Sequence, residues 1–184
     1  MSAQLSDKFK YNNKKYSISA IEIPHMFFNI TKLGLKPHAI HSACWRGFVA
    51  EFGIGNENRL VLVELKTNNG KAPPPKINGI EPKIVFGGGL KYHNLNLPIN
   101  YSGKILITSG FIKEKYVHMG FQSPLSYENI IELSFENGIF TDENDMSALA
   151  AQKRREQGTA DSRHYGNLDW INKTFNLSYD SKWL

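Results

Sequence analysis

The alternation of apolar and polar residues is clearest in the stretch 39–66, and we expect the fold to be organised around it. Large apolar or small side chains recur at every second position, at Phe48, Ala50, Phe52 and Ile54. This period predicts a strand with one buried and one wetter face, beginning near Ala39. After a turn at residues 55–58, a second strand is predicted from Arg59. Its residues 60–65 are apolar on both faces, which predicts an antiparallel return strand in the interior of the sheet.

The N-terminal residues 9–18 predict a second hairpin, whose turn can be drawn in two ways. A four-residue loop pairs Tyr11 with Tyr16, whereas a two-residue turn places Lys10 opposite Lys15. Because like charges directly opposite each other destabilise a strand pair, the longer loop is the preferred prediction.

Another β-rich region follows a loop rich in asparagine, glycine and proline. Strands are predicted at residues 83–86, 104–108 and 116–121 from their apolar and β-branched content. Asn137-Gly138 is the favoured two-residue hairpin turn, and it pairs Phe135 with Phe140.

The composition changes after residue 141 and predicts helices. Thr141 and Asp142 supply a helix cap, and the basic residues 153–155 before Gly158 suit the end of a helix. A polar, linker-like stretch, 158–166, then precedes a second predicted helix, Leu168–Phe175. We therefore expect an α+β fold, mostly β. An antiparallel, meander-like sheet or open barrel forms a β-rich domain of residues 1–141, followed by a helical C-terminal appendage of residues 142–184.

The chain ends in large aromatic side chains, which normally need a surface that buries them. Phe175, Tyr179 and Trp183 are therefore predicted to bind a partner. Docking of this tail on the chain's own domain is the alternative interpretation.

Composition narrows the class of protein. A chain of 184 residues with 41% hydrophobic and 21% charged residues is not wholly disordered. No apolar run approaches the roughly 20 residues that span a membrane, and the N-terminus lacks the apolar core of a signal peptide. The single cysteine, Cys44, suits a reducing compartment. We expect a cytoplasmic protein without a membrane association.

The net charge of +5 and the pI of about 9.2 favour an acidic partner. Lysines dominate the first 36 residues, where Asp7 and Glu22 are the acidic ones. The lysines are Lys8, Lys10, Lys14, Lys15, Lys32 and Lys36. They form either a solubilising face or a surface that contacts phosphates, so that a nucleic acid or nucleotide is one class of partner.

His38, His41 and Cys44 are spaced by three, and in a helix they would share one face as metal ligands do. Because this stretch is predicted to be extended, the three side chains separate, and neither a metal nor a cofactor is predicted. Cys44, beside Trp45, is then a small core residue. The alternative is a nucleophile activated by a neighbouring histidine.

Arg46 is predicted to share the buried face of the first strand, where a guanidinium needs a carboxylate or phosphate partner. One interpretation is an ion pair with Glu64 or Glu81. The other is an anion-binding pocket formed by Arg46 with His93 and His118.

The glycines at 87–89, followed by Lys91, are typical of a loop that cradles phosphate, although neither established spacing of such loops is present. A flexible connector is the alternative. The predicted anion-binding residues are therefore Arg46 and Lys91. The candidate catalytic residues are His41, Arg46, His93 and His118.

Catalytic motifs of established spacing are missing from the sequence, which favours a protein that is not an enzyme. The first hypothesis is a cytoplasmic interaction module that binds a protein or another macromolecule through its sheet surface and aromatic C-terminal tail. An accessory or inhibitory subunit of a bacterial-type system is one instance. The alternative hypothesis is an enzyme that acts on a nucleotide or nucleic acid through a pocket of histidines and arginine.

Overall fold

A computed structural model describes residues 2–85, 89–157 and 168–183 of the chain. Its main element is a 10-stranded sheet. The strands are β1 (Lys8–Tyr11), β2 (Lys14–Ile21), β3 (Phe48–Ile54), β4 (Leu60–Thr67), β5 (Lys83–Val85), β6 (Gly89–Tyr92), β7 (Leu97–Pro98), β8 (Gly103–Phe111), β9 (Tyr127–Glu136) and β10 (Ile139–Asp145). The helices are α1 (Pro24–Phe27), α2 (Ser147–Gln157), α3 (Leu168–Phe175) and α4 (Tyr179–Lys182).

The strand order is β10-β9-β8-β2-β1-β3-β4-β6-β5, with β7 beside β4. The neighbours are antiparallel except for β1 and β3, which run parallel, so the sheet is mixed; it is also open. The predicted class, α+β and mostly β with C-terminal helices, is confirmed. Within the described residues, no helix is long and apolar enough to cross a bilayer.

The central hairpin of the sequence prediction is formed by β3 and β4, which pair antiparallel from Phe48 with Thr67 to Ile54 with Leu60. Strand β4 also pairs with β6 and β7 on its other side, as its two apolar faces predict. The predicted start of the first strand near Ala39 is wrong, because residues 39–47 form turns. Gly47 has φ +76°, and a Cβ there would lie 2.4 Å from the carbonyl oxygen of His38.

The N-terminal hairpin uses the shorter turn, so the predicted four-residue loop is wrong. Asn12 and Asn13 both have positive φ, and asparagine tolerates this conformation better than most residues. Lys10 consequently lies opposite Lys15. The repulsion is reduced because the Nζ of Lys15 lies 2.5 Å from a carboxylate oxygen of Glu51 on a third strand.

The predicted strand at residues 116–121 is also wrong, because this stretch is a loop. The side chain of Gln122 accepts from the backbone nitrogen of Val117 at 2.9 Å and donates to its carbonyl at 2.6 Å. These two hydrogen bonds satisfy backbone groups that would pair with a neighbouring strand in a sheet. Gly120 has φ +70° and lies so close to Thr174 that a Cβ would clash with its side chain at 2.2 Å.

The first C-terminal helix begins later than predicted. The Asn137-Gly138 turn pairs Phe135 with Phe140, as expected, but β10 continues through Thr141 and Asp142 to Asp145. The helix cap is then Asp145, whose carboxylate accepts from the backbone nitrogen of Ser147 at 2.9 Å. The second helix, Leu168–Phe175, is confirmed, and the predicted linker at 158–166 lies outside the described residues.

The two faces of the sheet have different coverings. The inner face forms the main core, with residues including Phe9, Ile18, Phe52, Leu62, Leu65, Tyr92, Tyr101, Ile105 and Phe135. On the outer face, Ala20, Leu106 and Ile130 of neighbouring strands are buried by α2 and by the C-terminal tail. The outer face of β1, β3, β4, β6 and β5 has no such layer among the described residues.

The aromatic tail docks on this chain. Tyr179 and Trp183 are only 8% and 5% exposed. The Tyr179 hydroxyl donates to a carboxylate oxygen of Glu132 on β9, and Lys104 lies 3.0 Å from the other oxygen. The Nζ of Lys153 on α2 lies 5.0 Å from the centre of the Trp183 ring. The tail therefore completes the layer over the outer face.

We expect the change Trp183→Ala to lower the free energy of unfolding by about 3–5 kcal/mol, because it leaves a cavity under the tail. Leu168→Ala is the matched control, since Leu168 is 77% exposed and its removal should change stability by less than about 0.5 kcal/mol. Urea denaturation followed by circular dichroism measures both. Equal stabilities of the two variants would contradict tail docking.

Candidate interaction site

The uncovered outer half of the sheet is basic. Paired residues of neighbouring strands project from the same face, so the strand registers place six lysines and two glutamates together there. They are Lys8, Lys10, Lys15, Lys66, Lys83 and Lys91, with Glu51 and Glu64. We call this surface the lysine face.

Three lysines of this face, Lys66, Lys91 and Lys83, lie side by side on three neighbouring strands, and we call them the lysine row. Lys66 of β4 pairs with Lys91 of β6, which pairs with Lys83 of β5. Lys91 lies 3.2 Å from a carboxylate oxygen of Glu64, but neither Lys66 nor Lys83 has an ion pair within 4 Å among the described residues. The row therefore carries positive charge that the described part of the chain does not neutralise.

Glu64 is the acidic centre of the lysine face. Its second carboxylate oxygen lies 2.8 Å from Nδ1 of His93. Partial burial opposes the charged form, but the hydrogen bonds from His93 and Lys91 hold the pKa of Glu64 below its usual value. The predicted catalytic residue His93 and the predicted anion-binding residue Lys91 are thus brought together, because both contact the carboxylate of Glu64.

A shallow pocket of about 230 Å³ opens on the lysine face. Its lining combines the apolar residues Leu5, Val49 and Ala50 with the charged residues Lys8, Glu51, Glu64, Lys66 and Lys91. Burial lowers the pKa of Lys8, whose Nζ donates to the hydroxyl of Ser17 at 2.9 Å. We call this cavity the lysine pocket.

Arg46 forms an ion pair, but with Asp7 rather than with the predicted Glu64 or Glu81. The two terminal nitrogens of its guanidinium each donate to one oxygen of Asp7 at 2.7 Å, and one of them also donates to the Leu5 carbonyl at 3.2 Å. Asp7 is 5% exposed and also accepts from the Ala50 nitrogen at 2.7 Å. The charge of Arg46 is therefore compensated within the chain.

The guanidinium of Arg46 also lies over two aromatic rings, 4.5 Å from the centre of Phe48 and 5.5 Å from that of Phe121. Next to it is a groove of about 550 Å³. The groove is lined by Gln4, Pro24, Trp45, Arg46, Phe121, Ile171, Asn172, Phe175, Asn176 and Leu177. We call it the aromatic groove. Trp45 is 56% exposed there.

Lys182 holds two walls of the aromatic groove in place. Its Nζ donates to the carbonyls of Phe121 at 3.0 Å and Thr174 at 3.2 Å. Thr174 belongs to α3, and its carbonyl also accepts from the Phe121 nitrogen at 2.8 Å. Burial lowers the pKa of Lys182 to about 8.

The aromatic groove and the lysine pocket are separated by a single segment of chain. Gln4 lines the groove and its neighbour Leu5 lines the pocket. The Gln4 side chain accepts from the Trp45 nitrogen at 3.1 Å, and the Leu5 nitrogen donates to the Ala43 carbonyl at 2.8 Å. An apolar and a basic cavity therefore flank the same N-terminal segment.

The other predicted site residues are dispersed. His41 and His118 are exposed, and Nδ1 of His41 accepts from the Ala43 nitrogen at 3.2 Å. Phe175 lines the aromatic groove, whereas Tyr179 and Trp183 are buried in the chain itself. Of the predicted glycine loop, residues 87 and 88 lie outside the described residues.

Cys44 is buried, its thiol donates to the Phe48 carbonyl at 3.4 Å, and burial raises its pKa, as suits a core residue. No group of three or more histidine, cysteine or acidic side chains in the described residues could hold a metal ion.

The sequence interpretation missed Asp7, Leu5 and Trp45 as site residues. Asp7 stands among lysines near the N-terminus, and no local pattern indicates that it lies beside Arg46, 39 positions away. Trp45 was expected in a strand, but it projects from a loop that turns at Gly47. An exposed tryptophan in a loop is a signal of a binding surface once the loop is recognised.

No protein-family model matches this chain, and no curated protein or solved structure matches it. The function is therefore inferred from the arrangement of the residues themselves.

We expect Arg46→Met to lower the free energy of unfolding by about 3 kcal/mol, because it leaves the carboxylate of Asp7 buried and unpaired. The double change Arg46→Met with Asp7→Asn should recover part of this loss, since the charge is then gone and an amide oxygen still accepts from Ala50. A urea-unfolding double-mutant cycle measures the coupling. Simple additivity of the two single changes would show that the ion pair does not connect these segments.

The buried amine of Lys182 predicts a pH dependence. Its folded pKa of about 8 is below the ordinary lysine value of 10.5, so the folded state binds fewer protons than the unfolded state between these pH values, and stability rises with pH there. The stability of the wild type relative to Lys182→Met should therefore increase between pH 8 and 10. Urea denaturation at each pH measures the difference, and a difference that is constant with pH would contradict the burial of a charged amine.

Proposed function

We propose that this protein is an interaction module that binds a segment of a partner protein containing both large apolar and acidic residues. The observation that carries the proposal is the adjacency of the aromatic groove and the lysine pocket, on the two sides of Gln4 and Leu5. Apolar side chains of the partner enter the groove between Trp45 and Phe175. Its carboxylates lie beside Lys66 and Lys91.

The apolar part accounts for most of the affinity. Burying one large apolar side chain contributes about 1.5–3 kcal/mol, and exposed tryptophan and buried arginine are typical of the residues that dominate binding energies. Because Asp7 neutralises Arg46, an uncharged partner residue can enter the groove without leaving a charge unpaired. The exposed lysines then contribute mainly to orientation and to the rate of association.

A protein segment fits this surface better than a nucleic acid does. A phosphate backbone that crossed the lysine face would pass over Glu51 and Glu64, both of which are charged neighbours of the lysines. The aromatic side chains that could stack on bases, such as Trp45, lie in the groove rather than among the lysines. The apolar lining at Leu5 and Val49 suits an aliphatic side chain.

The experiment is a selection from a random peptide library displayed on phage, with counter-selection against the variant that combines Trp45→Ala and Lys66→Glu. We expect enrichment of peptides that contain acidic residues together with large apolar ones. A selected peptide is then titrated against the purified protein at two salt concentrations, with a mixed-sequence single-stranded oligonucleotide as the comparison.

For a selected peptide, we expect Trp45→Ala to weaken binding by about tenfold or more, at both salt concentrations, because it removes an apolar wall of the groove. Tyr116→Ala is the matched control, since Tyr116 is 55% exposed and lies outside the groove. Fluorescence anisotropy measures both affinities. Equal losses in the two variants would contradict a role for the groove.

We expect Lys66→Glu to weaken binding by several-fold at low salt, with a smaller effect at high salt, because screening reduces interactions of exposed charges. Lys32→Glu makes the same charge change outside the sheet and should have little effect. If the peptides that are enriched lack acidic residues, or if only the oligonucleotide binds in a lysine-dependent way, the proposed partner class is wrong.

A further inference from the structure

The row of lysines leads from the lysine pocket to an edge of the sheet. Lys66 and Lys91 line the pocket, and Lys83, the next residue of the row, belongs to β5, the last strand in the sheet order. Among the described residues, β5 pairs with β6 on one side and with no strand on the other. Its outer backbone donors and acceptors are therefore available to an added strand.

Successive side chains of β5 project from opposite faces of the sheet at this edge. Lys83 projects from the outer face with Lys91, whereas Ile84 pairs with Leu90, which belongs to the inner core. Leu90 is 7% exposed, but Ile84 is 81% exposed. The inner core thus ends in an uncovered apolar side chain, and the adjacent position on the outer face is a lysine without an ion pair in the described chain.

We propose that the partner segment adds to the sheet as an extended strand beside β5, with alternating acidic and apolar residues. This inference rests on the proposed function, whose partner class it makes specific. The acidic residues of the segment lie beside Lys83, the edge residue of the lysine row, on the outer side, and its apolar residues cover Ile84 on the inner side. Main-chain hydrogen bonds provide affinity, and the alternation of side chains provides specificity.

Strand addition explains why the partner is a polypeptide. The unpaired amide and carbonyl groups of an edge strand are satisfied by the backbone of another extended chain, and a phosphate backbone has no amide donors for the carbonyls. An acidic residue opposite Lys83 also gives this lysine an oppositely charged neighbour on its unpaired side, which stabilises a cross-strand pair.

The test uses three labelled synthetic peptides of about eight residues, a usual strand length. The first alternates glutamate and valine, the second has the same composition in two blocks, and the third repeats the first with alternate backbone nitrogens methylated. We expect the alternating peptide to bind the intact protein about tenfold more tightly than either of the others. The methylated peptide keeps the charges and side chains but loses backbone donors.

The variant Ile84→Lys separates strand addition from simple charge attraction. It adds a positive charge, so electrostatics alone predicts tighter binding of the acidic peptide, whereas strand addition predicts weaker binding because a charge replaces the apolar contact. Ile84→Val is the control and should bind as the wild type does. Because Ile84 is largely exposed, both variants should keep the wild-type melting temperature.

The outcomes distinguish the two proposals. If the alternating peptide binds with dependence on salt and Lys66, but Ile84→Lys and backbone methylation do not weaken it, strand addition is wrong and the proposed function stands. If no peptide binds, or if binding is insensitive both to Lys66→Glu and to Ile84→Lys, both proposals fail. If the alternating peptide alone binds and loses affinity in Ile84→Lys, the strand-addition site is established.

Discussion

The fold depends on the different covering of the two faces of one curved sheet. The inner face is apolar across most strands, and its burial supplies the main stabilising energy. On the outer face, α2 and the tail bury Ala20, Leu106 and Ile130, so the strands beneath them are covered on both sides. The strands beyond β2 lack this layer in the described chain, and their outer residues include the charged residues of the lysine face. The lysine face is the part of the sheet that the C-terminal helices leave uncovered.

The Arg46–Asp7 pair connects the covered and uncovered parts. Asp7 precedes β1 and also accepts from Ala50 of β3, so a single carboxylate links the N-terminal segment to the central hairpin. Arg46 in turn lies over Phe121, whose loop is hydrogen bonded to α3. The pair is mostly buried, so the cost of removing its charges from water offsets much of their attraction. The ion pair therefore fixes the positions of the two segments more than it adds to the net stability of the fold.

The sequence predicted those parts of the fold that arise from local patterns. Period-two alternation and the Asn137-Gly138 turn identified the hairpins correctly, and the helix at Leu168–Phe175 followed from its apolar spacing. The N-terminal turn was mispredicted because the repulsion of Lys10 and Lys15 is reduced by Glu51 on a third strand. The partner of Arg46 was missed for the same reason. Contacts between residues distant in sequence decide such cases, and a single sequence does not show them.

The lysine row places like charges directly opposite one another on three neighbouring strands. Directly opposite like charges cost free energy, and Lys91 has a like-charged neighbour on both sides. Glu64 neutralises Lys91 and leaves Lys66 and Lys83 uncompensated among the described residues. A row of this kind adds nothing to the inner core, which lies on the opposite face. A carboxylate beside Lys83 would offset part of this repulsion, and an acidic strand at the β5 edge would place one there, at the end of the row. The same repulsion that weakens the isolated sheet would therefore favour the proposed complex.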